Sequence, residues 1–391
     1  MDDFRREAAE HYERAVALER AGRIDEALIE YRRAADTDPT FAAAYEALGY
    51  HYQRRGLLAK ALDAFQTVAR LEGTYTAYFN LGYILIEMER YPEAMEAFRH
   101  CLELSPEDPA ALYELGYACY AMGRPAEALE TLRIPLQAYA QDARVHNLAG
   151  ACYLDLEMWP EAEAAYRRAL ELARPGEEAE DARAGLLVAR RYQEFPSGSS
   201  LSLRDQLYAD AGVVLLGTAG DTGRDLSSWE TPPLSPEHLA TTLHRLQALL
   251  PALQVCPSAV VAVDRASIPL ATVLSEMLTQ PRKALSQLQP QERPLLVLLL
   301  GRQRELLEVA LEQSPQEALS FVYALGWSPQ ESPLPDFIGV LVHGRMPEEI
   351  PWDEGALRSA CARLQGGVEP EQIQYYLEHR RLRFLEETVS L

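Results

Sequence analysis

The sequence predicts a multidomain chain: an all-α superhelix of five helical-pair repeats plus a capping helix, followed by an α/β domain with a largely parallel sheet. Three observations point there. A grid of small and aromatic residues recurs about every 34 residues through the first half. From Leu201 onward that grid disappears, and short aliphatic runs alternate with amphipathic stretches. Of the 20 tyrosines, sixteen lie between Tyr12 and Tyr192, so the two halves differ in kind. At roughly 150 residues per domain, 391 residues accommodate two or three domains.

The grid is explicit at Leu48-Gly49-Tyr50, Leu81-Gly82-Tyr83 and Leu115-Gly116-Tyr117, with offsets of 33 and 34. Twelve residues after each glycine stands an alanine (Ala61, Ala94, Ala128), and four further on a bulky apolar residue (Phe65, Phe98, Leu132). Ala27 and Tyr31 extend the pattern upstream, and Gly150, Ala162 and Tyr166 downstream, so units begin near Ala8, Ala42, Tyr75, Pro109 and Ala143. A glycine inside a helix costs about 1 kcal/mol against alanine, which close helix approach must offset. The alanine lets the second helix meet the first, and the bulky residue is expected to fill the space between neighbouring units. Pro135 is predicted to end or kink its helix early. Glu177 to Glu194 reads as a capping helix with Ala184, Leu187, Val188 and Tyr192 toward the stack. Pro196 to Ser200 reads as a linker, which gives a solenoid over 1–195, a linker over 196–200 and an α/β domain over 201–391.

On these slots, residues 8–194 resemble tetratricopeptide repeats. The resemblance implies that the first helices line a concave face holding a protein or peptide partner. The residue after each glycine, and the one four before it, share that face, since such spacings keep side chains on one side of a helix. The slots hold Tyr12, Glu46 and Tyr50, Phe79 and Tyr83, Tyr113 and Tyr117, then Asn147, with Ile86 and Tyr120 a turn further along. Tyrosine offers contact area and a hydroxyl at little entropy loss, as recognition surfaces need. The alternative is that the tyrosines pack between helices, as Tyr45, Tyr52 and Tyr78 are expected to do. Some members of the family clamp an acidic tail with Lys, Arg and Asn. Here Asn80 and Asn147 are present, but the grid supplies no lysine and Arg54 lies far from Arg144, so an apolar or aromatic peptide is expected.

In the second half, runs at 212–216, 259–263, 295–300, 320–325 and 337–342 read as buried strands. Stretches 236–250, 268–279 and 302–313 read as helices, with Ser235 and Ser267 as caps. Ligands of such sheets bind beyond the carboxyl ends of strands. The loop after the first run, with Gly217, Gly220, Asp221 and Gly223, is a candidate to expose amides to an anion, although it matches neither a Walker loop nor GxGxxG. After the second run, Asp264, Arg265 and Ser267 lead into a helix. About 20 residues there are similar to the start of the pyrophosphate site of type I phosphoribosyltransferases. That family's later strand, ending in two acidic residues and a Thr-Gly cradle, has no counterpart, since 337–344 ends in His343-Gly344. The resemblance therefore implies a shared fold with lost activity, and leaves His343 a lone candidate. A tail over 371–387 is amphipathic, with His379, Arg380, Arg381 and Arg383 on one face.

Charge and composition narrow the function. Asp plus Glu outnumber Lys plus Arg by 59 to 37, a net −22 that repels a phosphate backbone, so no nucleic acid is expected. The start MDDFRREAAE lacks the apolar core of a secretory signal, and the longest aliphatic run, Leu295 to Leu300, is too short to span a membrane. Cys101, Cys119, Cys152, Cys256 and Cys361 form no CxxC pair, which predicts buried free thiols in a reducing cytoplasm. No GxSxG or HExxH motif is present, and no metal or cofactor is expected. The leading expectation is a cytoplasmic, non-enzymatic adaptor, with homo-oligomerisation left open. The rival is an enzyme or a sensor of a nucleotide or phosphoribosyl ligand in the second domain, with the repeats recruiting its substrate.

Overall fold

The computed structural model describes residues 2–196, 198, 200–217, 230–253, 255–315, 318–328, 331–348, 350–364 and 376. The chain forms two compact units, Met1–Ala189 and Arg190–Leu391.

The first unit is a run of antiparallel helix pairs: α1 (Asp2–Arg20) with α2 (Ile24–Thr37), α3 (Ala42–Arg54) with α4 (Leu58–Glu72), α5 (Tyr75–Glu87) with α6 (Tyr91–Leu104), α7 (Pro109–Ala121) with α8 (Pro125–Ala138), and α9 (Ala143–Asp155) with α10 (Trp159–Leu172). Helix α11 (Glu177–Gln193) follows. Thr74, Asp108 and Asp142 cap α5, α7 and α9 through their side chains, and Pro92, Pro125 and Pro160 occupy first turns.

The interior glycines have a steric cause. A Cβ at Gly49 would lie 2.7 Å from the Phe65 ring, one at Gly82 2.7 Å from Phe98, and one at Gly150 2.9 Å from Tyr166. At Gly116 the neighbours are Thr131 Oγ1 at 2.7 Å and Leu132 at 3.2 Å. Each bulky residue therefore sits on the glycine of its own unit, and not primarily between units as the sequence suggested. The alanines at 27, 61, 94, 128 and 162 are fully buried at the same contacts.

Two further expectations change. Helix α8 runs as long as α6 and α10, 14 residues, because Pro135 falls in its last turn and removes a single amide donor. Its carbonyl still accepts from the Tyr139 amide at 2.7 Å. On α11 the buried face is Ala182, Leu186 and Ala189, with Gly185 under the Tyr166 ring, whereas Ala184 is exposed and Leu187 and Val188 are half-buried. The ring of Tyr166 is held between Gly150 and Gly185, and that contact sets the rotation of the helix.

The second unit contains a six-stranded, all-parallel sheet in the order β1-β6-β5-β4-β2-β3. The strands are β1 (Val214–Leu215), β2 (Ala259–Ala262), β3 (Arg282–Lys283), β4 (Pro294–Gly301), β5 (Leu319–Leu325) and β6 (Phe337–Leu341). Helices α13 (Pro236–Ala252), α14 (Ile268–Leu278) and α15 (Arg304–Glu312) match the predicted stretches, while α12 (Leu203–Ala211) and α16 (Glu354–Arg363) were not foreseen. Helix α12 begins on a capping box in which Ser202 and Asp205 exchange side-chain and backbone bonds. From Leu295 to Leu299 the residues of β4 divide between two layers: Leu295, Val297 and Leu299 join the core under α13, α14 and α16, with Leu300 beside them, and Leu298 joins the one under α12 and α15. On edge strand β1 the Tyr376 hydroxyl accepts from the Leu215 amide at 3.0 Å and donates to its carbonyl at 3.1 Å.

Ser235 caps α13 as expected. Ser267 does not cap α14; its fully buried hydroxyl accepts from the Leu299 amide at 2.8 Å and donates to Asp264. Four cysteines are buried, and Cys256 is exposed.

Candidate functional site

The residue after each contact glycine is turned about 100° away from the partner helix, which brings it to the open side of the first helix. Tyr50, Tyr83 and Tyr117 occupy that slot with 39%, 42% and 38% of their surface exposed. Three consecutive units thus present the same ring at nearly the same exposure. Tyr50 is braced by an edge-on contact with Phe65 at 5.3 Å, and its hydroxyl accepts from Asn80 Nδ2 at 2.6 Å, joining α3 to α5. The hydroxyls of Tyr83 and Tyr117 have no hydrogen-bond partner among the described residues.

The remaining slots lie deeper. Tyr12 is half-buried against Tyr31 and Phe41, both 5.5 Å away. Phe79 stacks on Tyr75 at 5.7 Å and meets Phe98 edge-on at 5.6 Å. Ile86, Tyr113 and Tyr120 are half-buried, and burial pushes the Tyr113 phenol up to about 12. Asn147 donates to the Glu178 carbonyl at 2.9 Å, so one of its donors already ties α9 to α11.

Two carboxylates accompany the rings. Burial holds Glu46 above the usual carboxylate range, and the charge of Glu72 adds to that. Burial does the same to Glu114, with Arg144 pulling in the opposite direction. Among the described residues neither has a hydrogen-bond or ion-pair partner. Glu114 was not among the expected residues. Its signal was the absence of Lys, Arg and His from α5 and α7.

Profiles of the tetratricopeptide repeat match residues 2–44, 12–77 and 46–109, residues 85–152, and residues 145–180. Residues 2–180 are tetratricopeptide repeats. A TPR repeat-containing protein of Schizosaccharomyces pombe is 33% identical over 69 residues, which is 17% of this chain and 8% of that protein, so the match spans a small fraction of the relative's length. Among solved structures, a MamA protein is 22% identical over 44% of this chain and 92% of its own, with a TM-score of 0.40. YrrB, described as a TPR protein with an unusual peptide-binding site, is 22% identical over 44% and 90%, with a TM-score of 0.41. The PilF protein of Pseudomonas aeruginosa is 19% identical over 48% and 83%, with a TM-score of 0.39.

The carboxyl ends of the sheet are arranged differently from the tyrosine face. Gly217 is buried, its amide donates to the Gly339 carbonyl at 2.8 Å, and its carbonyl accepts from Thr242 Oγ1 at 2.6 Å, so it offers no free amide to an anion. Gly220, Asp221 and Gly223 lie outside the described residues, as does all of the 371–387 tail except Tyr376. Asp264 and Ser267 spend their side chains on each other and on β4. Arg265 and His343 are exposed, but they follow β2 and β6, which are three strand positions apart, or about 14 Å at 4.8 Å per step. The structure does not gather them into one site. Gly344 has a packing role, since a Cβ there would collide with the Glu230 carbonyl.

A mainly apolar cavity of about 910 Å³ lies between the segment leading into α13 and the one leading into α16, lined by Leu234, Trp352, Ala356 and several prolines. Its polar margin includes Ser235 and Asp353, which already cap α13 and α16. None of the candidate ligand residues, Gly217, Gly220, Asp221, Gly223, Asp264, Arg265, Ser267 and His343, is among its lining residues. Among the described residues no cluster of three metal-ligating side chains exists, and no helix is long and apolar enough to cross a membrane.

Proposed function

We propose that this protein is a cytoplasmic interaction scaffold whose repeat array, residues 1–195, holds a peptide or partner protein along the first-helix face. The reading rests on one observation above all: Tyr50, Tyr83 and Tyr117 recur at one slot of three successive units with matching exposure. Half-buried Tyr12, Phe79, Ile86, Tyr113 and Tyr120 supply the floor in this reading, with Glu46 on α3 and Asn147 on α9 as its polar members. The buried thiols of Cys101, Cys119, Cys152 and Cys361 suit a reducing compartment. Residues 201–391 add a second contact surface in this reading.

The test is partner capture by Tyr83→Ala combined with Tyr117→Ala. Bound partner should fall about thirtyfold or more, as loss of two interface tyrosines implies. The melting temperature should move by only a few degrees, because both rings are exposed. Unchanged capture would remove the reading. A ligand-sensing role for the sheet unit predicts a different result: a melting shift of the full chain with phosphoribosyl pyrophosphate or a common nucleotide. At 100 times the dissociation constant a ligand stabilises by about 2.7 kcal/mol, and the scaffold reading expects no such shift.

A further inference from the structure

The charges around the tyrosines say what kind of segment the face takes. The two central first helices, α5 and α7, contain no Lys, Arg or His at all. Glu46 precedes Tyr50 by four residues and Glu114 precedes Tyr117 by three, spacings that put each carboxylate beside its ring. Burial raises the phenols of Tyr12 on α1 and Tyr50 on α3, and the charge of Glu46, itself on α3, adds to both. Both carboxylates are partly withdrawn from water and form no ion pair among the described residues, a cost the free protein bears. Arg144, whose charge reaches Glu114, is held by both carboxylate oxygens of Asp142, at 3.1 and 2.7 Å.

Ring faces carry negative potential and attract ammonium and guanidinium groups. We propose that the occupant is a cationic segment of a partner protein in which Arg or Lys alternates with apolar residues, the cations lying over Tyr50, Tyr83 and Tyr117 beside Glu46 and Glu114 and the apolar side chains meeting the half-buried floor. An extended strand turns alternate side chains to opposite sides and so supplies both contacts at once. With neighbouring helices about 9 Å apart, the distance from Tyr50 to Tyr117 is about 18 Å, which about six extended residues cover. This rests on the scaffold reading and adds the charge of the partner to it.

Fluorescence anisotropy on the full chain tests it with three labelled octapeptides: Arg alternating with Leu, Gln alternating with Leu, and Glu alternating with Leu. The Arg peptide should bind about tenfold tighter than the Gln peptide, the sum expected of a few cation–π and ion-pair contacts, and the Glu peptide weakest of all. Glu46→Gln with Glu114→Gln should erase the Arg-over-Gln preference and leave Gln-peptide binding in place. Asp63→Asn with Glu130→Gln makes the same charge change at exposed positions on second helices, α4 and α8, and should keep the preference. Equal binding of the Arg and Gln peptides overturns the inference, as does undetectable binding of the Arg peptide. A preference that survives in Glu46→Gln/Glu114→Gln, or falls equally in the control pair, also overturns it and assigns the attraction to the overall charge of −22. Binding of every peptide undiminished by Tyr83→Ala/Tyr117→Ala instead removes the underlying reading of the face.

Discussion

The two units hold themselves together over different distances along the chain. In the repeat array Gly49, Gly82, Gly116 and Gly150 each meet a bulky residue sixteen positions later, as at Gly82 and Phe98, so the contact is remade in four successive units. In the sheet unit the decisive contacts are remote: Tyr323 in β5 donates to the Pro233 carbonyl at 2.7 Å, 90 positions away, and Tyr376 closes the β1 edge across 161 positions. Stacked repeats contact only their neighbours, so damage should stay local in the array and spread through the sheet. The difference also separates the candidate sites. A repeated local geometry yields a row of identical exposed rings, whereas each strand of the sheet ends on its own side chains, which do not converge.

The largest effect expected from that contrast is at Gly339. A Cβ there would lie 2.5 Å from the Tyr323 carbonyl oxygen and 2.7 Å from its ring, and the backbone cannot retreat without parting β5 from β6. Gly339→Val should abolish the calorimetric transition of the sheet unit and leave that of the array near its original temperature. A single transition lost for the whole chain would show that the units do not unfold separately.

Phe98→Ala comes next. Its ring is fully buried, and such truncations cost about 3–5 kcal/mol. Hydrogen exchange should accelerate in α5, α6 and their immediate neighbours and remain unchanged in α1 and α2. Gly82→Ala should cost less, because the intruding methyl meets a side chain that a smaller residue can replace. Phe98→Leu should therefore recover part of the Gly82→Ala loss, a positive coupling in a double-mutant cycle. Uniform acceleration along all helices would count against a chain of nearest-neighbour contacts.

The same contrast explains what could be read from the residues alone. The repeat grid located all five helix pairs because each slot is fixed by a local contact, Ala61 by helix approach and Gly49 by Phe65. It also put Tyr50, Tyr83 and Tyr117 on one face, since the residue after a buried glycine has a single open direction. It misjudged α11, where no further repeat exists to fix the rotation and the Tyr166 ring decides it instead. In the sheet, aliphatic runs located the strands that have them, while two-residue β3 has no such run. The fate of Ser267 was illegible, because its partner Leu299 is 32 positions distant and reached only once β2 and β4 are paired.

The smallest effect is the most diagnostic for the tyrosine face. Burial raises the Glu114 carboxyl above its unfolded range, so the folded chain binds that proton more readily than the unfolded chain does. The charged form therefore costs stability at every pH above the folded titration, and the cost disappears as pH falls below the unfolded value of about 4.3, where both states are protonated. Glu114→Gln should accordingly melt slightly higher than the parent at pH 7 and lose that advantage by pH 4. Glu30 provides the opposite sign, since His11 at 2.6 Å and Arg33 hold its carboxyl below the usual range, and Glu30→Gln should melt lower at pH 7. An array stabilised by removing one acid and weakened by removing another distinguishes a carboxylate kept for a partner from one kept for the fold. If Glu114→Gln melts lower at pH 7, Glu114 belongs with Glu30 as a structural acid.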